Sequence, residues 1–367
     1  MSNTFLTAQE IARQSLLILK DNLVFPMLCY KDCSNDFAKK GDTVQVKKPP
    51  VYEADDFDGT IVSQSIKEEN VLVTLDRIAD VSVEVSAYEM ALNLESFSEQ
   101  VITPAACAIA EKINREGLKL YQDIPYFAGT AGTTPDELND LAQARKILNL
   151  NRAPVAGRSA VWDPEADVAF SVIPAIVNAE KSGSTAALRE GAIGRIQGLD
   201  NYMSQAVATH TTGITGAATV KTDGAVAAGA HKLSLKGATL SGKLVKGDLL
   251  VIADRSYVVT KDSADASANA IAGVEVYPAL PALEDQTEVT LIDSHTANLA
   301  FHKNAFAFVT RPLEVARGVE SYVTSFNGLT LRVTFSYDSL HKKQMLSIDT
   351  LYGFRTLYPE LAVRVLG

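Results

Sequence analysis

Two alternating runs of apolar and polar residues, on either side of a strongly acidic segment, constrain this chain more than any other feature. The first run, TVQVKK, stops at Pro49 and Pro50, and the second, VLVTLDRIADVSVEVS, begins at Val71. Apolar residues at every second position predict β-strands, so we predict one long hairpin over residues 37–87. A two-stranded hairpin buries too little apolar surface to be stable alone. This hairpin therefore has to lie on a neighbour.

The tip of the predicted hairpin, between the two runs, is rich in charged residues. These are Asp55, Asp56, Asp58, Lys67, Glu68 and Glu69. The segment EADDFDG places carboxylates close together, but it lacks the spacing and the closing glutamate of a calcium-binding loop. We therefore expect a solvated or salt-bridging tip in preference to a calcium site.

The N-terminal segment predicts an amphipathic helix over residues 7–30. Thr7 and Glu10 have the spacing of a capping box, and Pro26 should end or bend the helix. This helix has no partner beside it in the sequence. It must therefore pack on a distant part of the chain or on another copy.

A second and longer helical pattern covers residues 93–123. Ser96 and Glu99 again have capping-box spacing, and Pro104 should kink the helix or mark its true first turn. A shorter helix follows in TTPDELNDLAQARKIL, where Pro135 suits the first helical position.

The remaining chain mixes strand and helix patterns and is interrupted by an all-β block. RSAVWD predicts a strand, and the next segment predicts a helix broken near Pro174. Residues 208–293 are rich in Gly, Ala, Thr and Ser and contain the short alternating runs HKLSLKG, KGDLLVIADRSYVVTKD and AGVEVYPAL. Closely spaced short strands predict a small β-barrel or sandwich, inserted into the α/β body.

Composition excludes several classes of protein. The net charge of −10 argues against binding nucleic acid through its phosphates, since such proteins carry clustered Lys and Arg. No apolar run approaches the roughly 18 residues of a membrane helix, and the N-terminus lacks the pattern of a secretory signal. Three cysteines fit a reducing compartment without disulfides. We therefore expect a protein that stays in the cytoplasm where it is made.

A glycine-rich stretch, GAIGRIQGLDNYMSQAV, raises the possibility of a phosphate or nucleophile site. It lacks the Lys-Ser/Thr of a P-loop and the G-x-G-x-x-G of a dinucleotide fold, and no G-x-S-x-G frames Ser204. We therefore interpret Gly191, Gly194 and Gly198 as turn glycines that lead into a strand.

Histidines and cysteines give no stronger indication of chemistry. The five histidines are scattered, and His302 falls in an alternating strand. Cys29 and Cys33 lie four apart with no second pair nearby, which favours buried thiols over a zinc site. We predict no catalytic, cofactor or metal site, and hence no enzyme. A hydrolase that uses Ser204 or His302 is kept as an alternative.

Four segments, in order over most of the chain, carry a resemblance to a known family. They are DRIADVSVEVSAYEMALNLESFSEQVITPAACAIAEKINREGLKLY, GRIQGLDNYMSQ, ANLAFHKNAFAFVTRPL and LSIDTLYGFRTLYPELAVRVL. The chain resembles the major capsid (coat) proteins of tailed bacteriophages, in the group similar to the phage P22 coat protein. KGDLLVIADRSYVV resembles part of that group's inserted domain.

The resemblance implies an α+β fold of the kind named for phage HK97. It implies an N-terminal helical arm (1–36), an extended hairpin or E-loop (37–87), a peripheral domain with the spine helix (88–157), a first part of the axial domain (158–207), an inserted β-barrel-like domain (208–293), a second axial part (294–336) and closing peripheral strands (337–367).

The same resemblance implies a structural function. Copies would assemble as pentamers and hexamers into an icosahedral head shell around double-stranded DNA, which the shell contacts only non-specifically. The charged tip would make inter-subunit contacts. Expected partners are further copies, a separate scaffolding protein, a portal protein and, in some shells, a decoration protein. We expect no membrane, no cofactor and no covalent crosslink. The location would be the virion capsid, assembled in the host cytoplasm.

Two other structural functions remain open on the sequence alone. An encapsulin, a cellular compartment shell of the same fold, would carry enzyme cargo. A phage tail or decoration protein would form tubes or small rings instead of closed shells.

Overall fold

The computed structural model describes residues 7–33, 39–47, 70–85, 97–183, 185–214, 220–238, 240–315, 318–338 and 343–367, and they combine helices with sheets. The helices are α1 (Ala8–Asn22), α2 (Phe25–Leu28), α3 (Thr103–Leu118), α4 (Leu138–Leu150), α5 (Pro164–Ser171), α6 (Pro174–Val177), α7 (Ala179–Ser182) and α8 (Ala186–Glu190). The strands are β1 (Tyr30–Cys33), β2 (Thr43–Lys47), β3 (Asn70–Thr74), β4 (Arg77–Val85), β5 (Phe127–Ala128), β6 (Arg158–Trp162), β7 (Arg195–Ile196), β8 (Leu199–Met203), β9 (Thr209–His210), β10 (Val220–Thr222), β11 (Lys232–Gly237), β12 (Leu249–Ile252), β13 (Arg255–Val259), β14 (Ala270–Tyr277), β15 (Glu288–Leu291), β16 (His295–His302), β17 (Phe306–Arg311), β18 (Glu320–Phe326), β19 (Leu329–Asp338), β20 (Lys343–Thr356) and β21 (Ala362–Leu366).

The chain divides into two compact units. The first comprises Met1–Asn114 and Phe306–Leu357, and the second comprises Arg115–Ala305 and Tyr358–Gly367. The chain passes from one unit to the other within α3, after β16 and again after β20. The segment boundaries that the sequence suggested, at 158, 208, 294 and 337, do not coincide with these crossings and stay predictions.

A sheet in the order β1-β17-β20-β19-β18 forms the frame of the first unit, and β4 also pairs with β20. Helix α1 packs on β18 and β19 and buries Ile11, Leu16 and Leu19. Its capping box is present as predicted, since the Thr7 hydroxyl accepts from the N–H of Glu10 and the Glu10 carboxylate accepts from the N–H of Thr7. The leading helix therefore packs on a distant part of its own chain.

The predicted extent of the first helix, to residue 30, is wrong. The side chain of Asn114 accepts from the N–H groups of Val24 and Phe25, at 3.1 and 3.2 Å, just after α1 has ended. Pro26 lies in the short α2, and β1 then pairs in parallel with β17. Tertiary hydrogen bonds therefore take this backbone out of the helix.

The hairpin prediction holds at its base but is wrong about its second strand. That run forms two strands: β3 pairs with β2, and β4 pairs with β20 from Gln344 to Tyr352. The first half of this alternating run therefore forms a strand of the hairpin, and the second half forms a strand of the sheet in the same unit.

The described part of the long helix, residues 97–123, is helical as predicted but is not uniformly α-helical, whereas the short helix after it begins later than predicted. Residues Ser98–Ile102 form a π-helical turn, α3 follows with Pro104 in its first turn as expected, and Lys119–Asp123 is a 3-10 turn. Ser96 lies outside the described residues. Pro135 does not open α4, because Asp140 accepts from the N–H of Glu137 and makes that residue the N-cap.

The second unit contains a sheet in the order β5-β21-β16-β6-β8-β7, with β9 paired to β16. The core around this sheet includes Trp162, Phe170, Leu141, Leu199 and Val363, so α4 and α5 cover it. Trp162 and Phe170 meet edge to face at 4.8 Å between ring centroids. As predicted, the helical segment after β6 is broken, with α6 beginning at Pro174.

Between β9 and β16 the chain forms a closed barrel, with strand order β10-β11-β14-β13-β12-β15. Its interior is apolar and includes Leu235, Leu250, Tyr257, Val259 and Val274. The alternating runs of the sequence thus form a barrel and not a sandwich. Within the described residues, no helix has both the length and the apolar character needed to cross a membrane.

Candidate functional site

The predicted inter-subunit contact residues lie outside the residues that the structure describes. They are Asp55, Asp56, Asp58, Lys67, Glu68 and Glu69, and all fall within residues 48–69. The described strands end in the antiparallel pair Lys47 and Asn70. Their contact role therefore stays a prediction.

The base of the hairpin is anchored on the sheet of its own unit. Val73 and Leu75 are fully buried, and a Cβ added to Gly353 of β20 would lie 2.4 Å from the carbonyl oxygen of Thr74. Only glycine allows so close an approach of two backbones. On the opposite face, Leu72 is 55% exposed. The hairpin thus has one anchored face and one apolar residue directed outward.

Ser204 and His302, the residues of the alternative hydrolase reading, both have structural contacts. The Ser204 hydroxyl accepts from the N–H of Ala206 at 3.2 Å, and its backbone N–H donates to Trp162. His302 is 3% exposed, and its Nδ1 accepts from the N–H of Asn304. No hydrogen bond joins Ser204 to a histidine in the described part of the chain. Nucleophile and base are therefore not paired as acyl transfer requires.

The three glycines of GAIGRIQG are turn residues, as the sequence predicted. Gly191 ends α8 with φ of 68°, while Gly194 and Gly198 have φ of 72° and 80°. A Cβ on any of them would meet nothing within 4 Å, so backbone conformation alone requires glycine there.

Cys29 is a buried thiol, in line with the sequence interpretation. Its Sγ donates to the carbonyl of Phe25 at 3.2 Å. Burial raises the pKa of this thiol, and the nearby Lys31 opposes that shift only in part. The side chain of Cys33 lies outside the described residues. Among the described residues, no group of three His, Cys, Asp or Glu side chains could hold a metal ion.

The most distinctive polar site lies where the barrel meets the sheet of the second unit. Three consecutive barrel residues, 246–248, form what we term the docking loop. Lys246 pairs with Asp123 at 2.8 Å, and the carbonyl of Gly247 accepts from Nη1 of Arg364 at 2.8 Å. Asp248 accepts from Nε2 of His210 at 2.8 Å. Every residue of this loop therefore contacts the body of the unit.

Gly247 is sterically required in the docking loop. Its φ is +100°, and an added Cβ would lie 3.0 Å from Cγ of Gln122 and 3.1 Å from Cε1 of His210. An L side chain would meet both a strained backbone and two close neighbours.

Around the docking loop, a closed polar cluster fixes His210 from both sides. We term the set Tyr121, His210, Asp248, His295 and Arg364 the junction. Nδ1 of His210 accepts from the Tyr121 hydroxyl at 3.0 Å while Nε2 donates to Asp248. The other Asp248 oxygen accepts from the N–H of Val245. All five side chains of the junction are buried.

The two remaining members of the junction have shifted pKa values. The Arg364 guanidinium lies over the ring of Tyr121 at 5.1 Å, and burial lowers its pKa to about 9, so it stays charged at neutral pH. The His295 ring lies 5.4 Å from that of His210, and its Nδ1 donates to the carbonyl of Asp293. Burial lowers the pKa of His295 to about 4, with smaller contributions from Arg364 and His210.

A small apolar contact lies beside the junction. Leu249 and Val258 point outward from the barrel, and they pack with Leu366 of β21. Sequence analysis did not find this site. Its histidines looked scattered, because the hydrogen-bonded partners of His210 are 38 and 89 residues away in sequence. The one local signal was the turn dipeptide Gly247-Asp248 before a strand.

Comparisons with known proteins find similarity to solved structures at low sequence identity. No protein-family model matches the chain, and no curated protein matches it. Solved structures similar to it include one from Mycobacterium phage Che8, at 15% identity and a TM-score of 0.48 over 94% of this chain and 90% of that one. The capsid structure of cyanophage P-SCSP1u matches at 12% identity and 0.47, over 94% and 88%. A virus-like particle from Pyrococcus furiosus matches at 10% identity and 0.43, over 98% of each chain.

Proposed function

We propose that this chain is the major capsid protein of a tailed bacteriophage. Copies would assemble as pentamers and hexamers into the icosahedral head shell that encloses double-stranded DNA. The observation that carries the proposal is the hairpin, which is anchored at its base by Gly353 and presents Leu72 outward on the strand that follows residues 48–69. The sequence resemblance described above supports the same function.

Assembly supplies the stability that such a hairpin lacks by itself. Each subunit would bury several modest interfaces at once, and closed symmetry makes the second and later contacts effectively intramolecular. The charged tip, with Asp55, Asp56, Asp58, Lys67, Glu68 and Glu69, would contribute polar contacts to a neighbouring copy. Exposed ion pairs of this kind stabilise a contact by about 0–1 kcal/mol each. They would therefore determine how neighbouring subunits align more than how tightly they bind.

The chemistry of the chain suits a container. Ser204 and His302 have structural hydrogen bonds, so we propose no enzymatic activity. The net charge of −10 would keep the wall from holding packaged DNA tightly. We propose a scaffolding protein, a portal protein and, in some shells, a decoration protein as partners. Assembly would take place in the host cytoplasm.

Electron microscopy of the full chain, expressed alone and with a candidate scaffolding protein, tests this function. We expect closed shells built of pentamers and hexamers. Tubes or small rings would indicate a tail or decoration protein instead. Enzyme cargo found by mass spectrometry of purified shells would indicate an encapsulin. A protein that stays monomeric under every condition would contradict all three.

A paired set of variants makes the test specific to the hairpin. Leu72→Asp removes the outward apolar contact and adds a charge, and we expect it to abolish shells while the circular dichroism spectrum stays unchanged. Gln45→Asp adds the same charge at the exposed position paired with Leu72, without removing apolar surface. Assembly lost equally in both variants would show that Leu72 makes no apolar contact with a neighbour.

A further inference from the structure

We propose that the docking loop and the junction form an acid-sensitive contact, which holds the inserted barrel on the sheet of the second unit at neutral pH and releases it in mild acid. The inference concerns this unit alone and does not depend on the proposed function.

The barrel can separate from the sheet without unfolding either. Its interior, with residues such as Leu235, Ile252 and Val274, is distinct from the core around Trp162 and Phe170. Among the described residues, a small cluster joins the two through apolar contact: Leu249, Val258 and Leu366 are buried in it, and Phe127, Ala131, Tyr277 and Ile292 pack around them. The polar junction is therefore a large part of what fixes the barrel in place.

The charges of the closed junction balance at neutral pH. Arg364 contributes one positive charge, and Asp248 contributes one negative charge. Among the described residues, the Tyr121 hydroxyl also faces His210 and the Asp293 carbonyl faces His295. The pair of Lys246 and Asp123 lies at the rim, where its side chains are 43% and 31% exposed.

One further proton disturbs this balance. A proton on His295 adds a second positive charge near Arg364 in a site closed to water. Nε2 of His295 has no hydrogen-bond partner in the described residues, so the junction offers that proton no acceptor. The pKa of His295 is lowered to about 4 because the buried ring takes up this proton unfavourably. Release exposes His295 to water, where the ring takes up a proton near pH 6.5. Acid therefore favours the released barrel.

Hydrogen-exchange mass spectrometry of the full chain tests the proposal, with rates corrected for the intrinsic pH dependence. Between pH 6.5 and 4, each unit of pH should raise opening of the junction about tenfold. We expect faster exchange at residues 119–123, 208–211 and 246–248. The barrel strands β12 and β14 and the sheet strand β6 should keep their protection. Exchange that rises in all of these segments together would mean global unfolding and would overturn the proposal.

Two variants test whether protonation of His295 causes the acid response of the junction. His295→Asn keeps a donor toward the Asp293 carbonyl but cannot titrate, and it should remove the acid response. His231→Asn, at an exposed position on the barrel, is the matched control and should leave the response intact. An acid response that persists in His295→Asn would overturn the proposal. If that variant does not fold, the wild-type protein decides the question. A rise in junction exchange whose midpoint lies outside pH 4 to 6.5 excludes His295 as the titrating group.

Discussion

Asp248 of the barrel accepts a hydrogen bond from Nε2 of His210 at 2.8 Å, and the side chain of each residue is only 3% exposed. The two residues belong to different parts of the second unit, the barrel and the strand β9 that precedes it. A carboxylate at this depth is retained only with partners, and it finds them in His210, the N–H of Val245 and the nearby charge of Arg364. This contact fixes where the inserted barrel lies on its sheet.

Asp248→Ala should destabilise the second unit by about 3 kcal/mol, because it leaves the buried Nε2 of His210 without its acceptor and removes one of the negative charges that stabilise Arg364. Chemical denaturation followed by tryptophan fluorescence measures the change, since the one tryptophan, Trp162, lies in the core of this unit. Asp254→Asn is the control at an exposed barrel turn with φ of 59°, a conformation that asparagine accepts. Equal stability of the two variants would show that the junction contributes nothing.

Gly247→Ala should cost more than the same change elsewhere on the barrel. Gly229 also has a positive φ, +84°, but an added Cβ there meets nothing within 4 Å. Both variants carry the backbone cost of about 1 kcal/mol, and only Gly247→Ala adds a clash with Gln122 and His210. We expect a further 1 to 3 kcal/mol, roughly, for that clash. Thermal unfolding of the pair tests this, and indistinguishable midpoints would refute it.

Gly353→Ala should detach the base of the hairpin from β20, because its Cβ would overlap the carbonyl oxygen of Thr74. The expected cost is about 1–3 kcal/mol in the first unit. Limited proteolysis should then cut within residues 39–47 faster than in the wild type. Gly318→Ala is the control, since its Cβ would be in open space and its φ of +82° already carries a backbone cost. Unchanged cleavage in Gly353→Ala would show that the close approach of Gly353 to Thr74 does not hold the hairpin base on β20.

Stability should fall in mild acid through His295. Its pKa is about 4 in the folded protein and 6.5 when free of the fold, so the unfolded or released state binds the proton first. The stabilisation is fully present above pH 6.5 and is lost as the pH falls toward 4, by about 3 kcal/mol in total. Denaturation curves at closely spaced pH values measure it. His295→Asn should make the stability less dependent on pH. An unchanged slope of stability against pH in this variant would contradict a buried, neutral His295.

Neutralising the hairpin tip should weaken the fit of subunits without abolishing shells. In the triple variant Asp55→Asn, Asp56→Asn, Asp58→Asn, each lost pair is worth about 0–1 kcal/mol, so shells should form more slowly and with more defects. Light scattering gives the assembly rate, and micrographs give the fraction of closed particles. Salt should slow wild-type assembly and have less effect on the variant. Identical rates for both proteins at low salt would exclude these carboxylates from the interface.

The sequence by itself determined features that depend on residues close together in the chain. Thr7 and Glu10 cap α1 through contacts three residues apart, and Gly194 and Gly198 provide turns by their own φ angles. Alternation predicted the barrel strands, because a strand with one face inward needs an apolar residue at every second position.

Only the tertiary structure decided which partner each segment found. The run from residue 71 to 86 alternates, yet β3 pairs with β2 and β4 pairs with β20, where Ser82 meets Ser347, 265 positions further along the chain. The junction joins Tyr121, His210, Asp248 and Arg364 in the same way. Periodicity fixes which face of a segment is buried but carries no information about what covers it, since that depends on contacts that form only when distant parts of the chain come together.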